Sequence, residues 1–173
     1  MLKWIGATMI LAAGTAYGFA QASRYARRPK ELRSLAAALG TLESEVVYGL
    51  SPLPAAMARV STATQRPIAF LFEEASSRLR DSRSEKTAGE CWAEAIEAVW
   101  PRTALGAPEK ATLLALSATL GATDRNDQAK HLRLAVAQLA AEEETAREEQ
   151  ARYGKMWRSL GALTAALIVI LMY

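Results

Sequence analysis

Apolar positions are laid out in two ways along this chain: as unbroken runs at both ends, and as a helical rhythm between them. Residues 4–23 and 159–173 are uncharged, runs of 20 and 15 residues. Between them Leu32, Leu35, Leu39, Leu42 and Val46 recur every three or four positions, which gathers them on one face of an α-helix. Pro29 fits the first turn of that helix, and Gly49 with Ser51-Pro52-Leu53-Pro54 ends it. Ser51 is expected to cap a second helix carrying Met57 and Val60. Beyond Arg66-Pro67, the spacing of Ile68, Leu71, Phe72, Ala75 and Leu79 predicts a third, and the polar run 80–86 a loop. Thr87 and Glu90 make a capping box for a fourth helix that buries Trp92, Ile96 and Val99. Pro101 and Gly106-Ala107-Pro108 separate it from a fifth with Leu113, Leu116 and Leu120, closed by Gly121 in a left-handed turn. Thr123 or Asp124 caps the last helix. Its stripe runs through Leu132, Ala135, Val136, Leu139, Ala146, Tyr153, Trp157 and Leu160 with no proline, a rod of about 45 residues.

The terminal runs read as membrane segments. A 20-residue helix is about 30 Å long, the thickness of a bilayer's hydrocarbon core. Gly14 and Gly18 stand in a GxxxG spacing that lets another helix approach closely. Ala20-Gln21-Ala22 matches a signal-peptidase cleavage pattern. The dense positive charge, however, follows the run, at Arg24, Arg27, Arg28, Lys30 and Arg33, which favours an uncleaved anchor. Arg152, Lys155 and Arg158 precede the second run in the same way, so both termini are expected to face outward. The expected fold is all-α: an antiparallel bundle of about six short helices, flanked by N- and C-terminal transmembrane helices, the last long and continuous into the membrane. The corresponding divisions are a transmembrane anchor (1–23), a cytoplasmic helical-bundle domain (24–152) and a C-terminal transmembrane segment (153–173).

Composition narrows the chemistry. Of the 173 residues 51% are hydrophobic and 23% charged, with a net charge of +3. Only Lys3 lies outside residues 24–158 among the charged side chains, so the middle carries 20 basic and 18 acidic groups. That is a mixed surface and not a nucleic-acid face. A single cysteine, Cys91, excludes an internal disulfide and a cysteine-cluster zinc site. No phosphate-cradling GxxxxGK[ST] or GxGxxG occurs, so neither a nucleotide nor another cofactor is expected. Asp124, Asp127 and His131 fall near one helix face, and a metal-dependent membrane-anchored enzyme built on them is the alternative reading. The plainer one gives the two aspartates to the positive end of the helix. Glu43 and Glu45 precede Tyr48 beside the Ser51-to-Pro54 turn; they either offer a surface for a basic partner or, on the plainer reading, are simply solvated. The acidic positions 142–144, 148 and 149 read as a solvated face.

The stretches LESEVVYGLSPLP (42–54), TAGECWAEAIE (87–97), LGATDRNDQAKHL (120–132) and YGKMW (153–157), in this order between two apolar ends, resemble the stage III sporulation protein AB family over essentially the whole chain. That family is similar to the cytoplasmic domain of type II secretion F proteins, which have two such domains and three membrane segments. The resemblance implies a non-enzymatic inner-membrane platform in the channel between mother cell and forespore, set in the mother-cell membrane facing the forespore. It implies as partners a stage III sporulation protein AA-type ATPase, other stage III channel proteins and membrane lipid, and it leaves self-association open. On that reading the docking residues are Glu43, Glu45, Tyr48, Ser51, Pro52, Pro54, Asp124, Arg125 and Asp127, with Gly14 and Gly18 packing a transmembrane helix.

Overall fold

The computed structural model describes residues 2–49, 51–81, 86–121 and 124–172. Among the described residues six α-helices follow one another: α1 (Leu2–Tyr48), α2 (Leu53–Ala63), α3 (Ile68–Arg80), α4 (Ala88–Val99), α5 (Ala107–Ala115) and α6 (Arg125–Met172). Short 3-10 turns follow α4 at Trp100–Arg102 and α5 at Leu116–Ala118. The chain divides into two compact units, one of Met1–Pro29 and Thr145–Tyr173, the other of Lys30–Glu144.

In the larger unit the predicted stripes become the core. Leu32, Leu35, Leu39 and Leu42 of α1 are completely buried, as are Met57, Val60, Phe72, Trp92, Ile96, Leu113 and Leu139. Burying a side chain of this size contributes roughly 1.5–3 kcal/mol, so these stripes supply the main drive for assembly. α2 packs on α3, α3 on α4, and α4 on α5 and the turn after it. The Phe72 and Trp92 rings meet at 5.7 Å, and Trp92 Nε1–H donates to the Leu113 carbonyl (2.8 Å), so the one polar atom of the indole is satisfied inside the core. Two buried carboxylates hold the loop before α5. Glu31 Oε2 accepts from the Ala104 N–H (2.6 Å) and Glu109 Oε2 from the Gly106 N–H (2.7 Å). No buried side-chain nitrogen or oxygen lacks a partner among the described residues.

Two ion pairs fix how α1 and α6 run in this unit. Arg33 Nε meets Glu143 Oε1 at 2.9 Å, and Arg133 Nε meets Glu43 Oε1 at 2.6 Å. A ten-residue advance on α1 matches a ten-residue retreat on α6, so the helices are antiparallel. In the smaller unit Arg28 pairs with Glu149 (2.7 Å) and the Tyr25 and Tyr153 rings lie 5.9 Å apart.

Several expectations are corrected. Among the described residues no helix is long and apolar enough to cross a membrane. That overturns the flanking N- and C-terminal transmembrane helices, the last helix continuing into a bilayer, and the transmembrane-anchored location with outward termini. The physical reason is dilution and length. Gly6, Thr8, Gly14, Thr15, Tyr17, Gly18 and Gln21 lower the average hydropathy of the first run, and the second has only 15 uncharged residues against the ~20 of a span. The packing proposed for Gly14 and Gly18 falls on positions whose surroundings lie outside the described residues, as do the Thr123 cap and positions 82–85 of the expected loop. Pro29 does not start a helix but lies inside α1; the ring removes one N–H donor, and the buried leucines that follow carry the helix on. Ser51 does not cap α2. Pro52 occupies that position, with no side-chain hydrogen bond, while Ser51 Oγ donates to the Gly49 carbonyl (2.9 Å). The acidic run on α6 is not simply solvated, since Glu143 and Glu149 hold the arginines of α1.

Candidate functional site

The proposed docking residues come from two chain segments that the fold brings to the same end of the larger unit. Tyr48 is the last residue of α1, five positions beyond Glu43, whose partner Arg133 lies near the start of antiparallel α6. The Gly49 N–H closes α1 on the Glu45 carbonyl (3.0 Å), and the Ser51 bond braces the turn that follows. Pro52 and Pro54 then set the direction of α2, whose Pro54 carbonyl accepts from buried Ser76 Oγ (2.8 Å). Tyr48 is left 80% exposed at the tip of a braced turn. Asp124, Arg125 and Asp127, all exposed, line the start of α6, where the Asp124 carbonyl accepts from the Gln128 N–H (2.9 Å).

The two glutamates have roles that sequence reasoning missed. Glu43 is committed to Arg133, and Glu45 pairs with Arg59 of α2. The hydrogen bond from Arg59 holds the Glu45 carboxyl below its ordinary value, and Glu45 raises the Arg59 guanidinium in turn. These carboxylates therefore brace the site. The exposed groups of this set are the Tyr48 ring, Asp124, Arg125 and Asp127. Neither Arg59 nor Arg133 stands in a run of like charge, and a lone charge in the sequence does not name its partner.

Asp124, Asp127 and His131 are each exposed, and among the described residues no group of three or more His, Cys, Asp or Glu could hold a metal ion. The metal-enzyme alternative is thereby corrected: the three side chains project along an open helix face and do not converge. Cys91 is buried, 2% exposed, on the core side of α4.

Fold and site together define an all-helical protein whose distinctive groups stand on its surface, an arrangement suited to recognition. The chain matches the model of the stage III sporulation protein AB family over residues 3–173. It is 39% identical to stage III sporulation protein AB of Bacillus subtilis (strain 168) over 173 residues, covering 99% of each chain. It is also similar to a solved structure of a stage III sporulation protein AB, with a TM-score of 0.67 and 33% identity, covering 73% of this chain and 98% of that one. The protein therefore belongs to the stage III sporulation protein AB family, and its partners are to be sought among sporulation proteins.

Proposed function

We propose that this protein is a non-enzymatic scaffold subunit of a sporulation complex, which docks a stage III sporulation protein AA-type ATPase at the Tyr48 end of its helical bundle. One observation carries the reading: a large aromatic residue, 80% exposed, ends a helix whose last turn is braced by ion pairs and a hydroxyl bond. Holding a tyrosine in water on a rigid support suits a docking residue, because little ordering entropy is lost when a partner covers it. Tyrosine is also among the residue types that dominate binding energy in protein interfaces. Asp124, Arg125 and Asp127 then supply charge at the rim. Other stage III channel proteins are further partners on the same reading.

The test is a pull-down of the purified ATPase on wild-type protein and on Tyr48→Ala. Truncation at a centre of this kind costs about 2 kcal/mol or more, so the variant should bind at least tenfold more weakly, with an unchanged circular dichroism spectrum. Unaltered binding would remove this end of the bundle as the docking site.

A further inference from the structure

Two turns far apart in sequence deliver arginines onto one aromatic ring. Arg66 closes the connection between α2 and α3, and Arg102 ends the 3-10 turn after α4. Their guanidinium carbons lie 4.6 Å and 5.5 Å from the centroid of the half-buried Phe70 ring. The two positive charges are thus no more than about 10 Å apart, roughly a Debye length at 0.1 M salt, and their fields reinforce each other. Both arginines are exposed, and neither forms an ion pair or hydrogen bond to a carboxylate among the described residues. Glu73, one turn further along α3, pairs with neither. A further cation, Lys110 near the Trp100 ring, is already matched by Glu97 (2.7 Å).

The display is rigid. The Thr103 N–H and hydroxyl both donate to the Trp100 carbonyl (3.0 and 2.9 Å), and buried Glu31 anchors the Ala104 N–H just beyond Arg102. The Phe70 N–H bonds the Pro67 carbonyl, which fixes the other turn (3.1 Å). A guanidinium stacked on a ring keeps its edge N–H donors free for a carboxylate. Gln65, next to Arg66, lines an open groove of about 490 Å³ between α1 and the end of α2, walled by Ala37, Ala38, Thr41 and Ala63, with Lys30 at its edge.

From this arrangement we infer that Arg66, Phe70 and Arg102, with the adjoining groove, form a docking surface for an acidic segment of a partner protein. Carboxylates of that segment meet the stacked guanidinium groups, and its apolar side chains enter the small-residue groove. The half-buried Phe70 ring between the two charges favours a polypeptide over a bare anionic surface, since aromatic and arginine side chains together mark protein interfaces. This surface uses none of the residues at the Tyr48 end, so the two readings fail separately.

The experiment measures binding of the full-length chain to a labelled helix-forming peptide of Glu, Leu and Ala, with a matched peptide in which every Glu is Gln. Wild type should bind the Glu peptide at least about tenfold more tightly than the Gln peptide, and added salt should weaken it. Arg66→Ala with Arg102→Ala should lose that preference, while Lys130→Ala, which removes an exposed charge elsewhere, and Tyr48→Ala should keep it. Arg66→Lys with Arg102→Lys should bind weakly despite equal charge, because the planar stack is gone. Both arginines are exposed, so truncation leaves the core intact, and circular dichroism checks this. Undiminished binding by the double alanine variant would overturn the inference. So would equal affinity for both peptides, binding to phosphatidylglycerol vesicles but not to the Glu peptide, or loss of self-association in the double variant showing that a second copy is the occupant.

Discussion

Glu90 shows how much one residue can be asked to do at a helix start. Its carboxylate accepts from the Thr87 N–H (2.7 Å) and the Thr87 hydroxyl (2.9 Å), while Thr87 Oγ1 accepts from the Glu90 N–H (3.3 Å). The backbone bond, and after it the hydroxyl bond, hold the carboxyl below its ordinary value. A carboxyl whose value is lowered by folding stabilises the fold above its unfolded-state value and loses that contribution as the pH falls through the lowered one. Glu90→Gln keeps an acceptor but removes the charge. The variant should therefore melt a few degrees below wild type at neutral pH, and the two melting curves should converge as the medium is acidified. A difference that persists at acid pH would show that the charge is not what the box uses. The neighbouring Gly89 marks where sequence reading stops. A Cβ there would lie 1.9 Å from the Ser117 carbonyl oxygen, so α4 approaches the turn after α5 through a gap only glycine leaves. Nothing in the local sequence announces that contact, because the neighbour is 28 positions away in the chain. Gly121, by contrast, was legible: its φ of 76° is the left-handed turn expected after an apolar stripe.

At the scale of the elements, opposite charge on α1 and α6 sets their alignment. Arg33 is 66% exposed and Glu143 13% exposed in their pair, so the energy at stake is modest, about 0–1 kcal/mol for a largely solvated bridge. Register specificity is the larger consequence, since a slip of one turn would move Arg33 from Glu143 to Leu139 or to Arg147, and Arg133 from Glu43 to Leu39 or Val47. Arg33→Glu should destabilise the protein slightly in urea unfolding, Glu143→Arg likewise, and the swapped double variant should recover most of the loss. Additive losses would mean that the two side chains do not interact in solution. The helices themselves were readable from their apolar spacing: Leu32, Leu35, Leu39 and Leu42, and Leu132, Ala135 and Leu139, are buried as predicted. Local rules failed where tertiary packing overrode them. Pro29 looked like a start because its ring lacks a donor, yet the stripe beyond it carries α1 through. Ser51 looked like a cap, but two prolines pre-set the backbone and the hydroxyl turned back to Gly49.

For the molecule as a whole, the all-α class and the family were legible, the latter from the stretches around residues 42–54 and 120–132, and the match over 3–173 establishes it. The membrane topology drawn from uncharged runs was not sustained, because absence of charge is a weaker property than sustained apolarity. The candidate site was half legible. Tyr48 and the start of α6 stand out in the sequence, but that they share one end of the bundle, and that Glu43 and Glu45 brace it, depends on pairings with Arg133 and Arg59 that lie far off in the chain. The central claim is that this end of the bundle docks the AA-type ATPase during sporulation. It is tested most directly by placing a photo-crosslinking amino acid at position 48 of the full-length chain in sporulating cells. The account predicts a crosslinked species containing that ATPase, lost when the label is moved to Lys130. A crosslink from position 48 that never contains the ATPase, while the protein still supports sporulation, would contradict it.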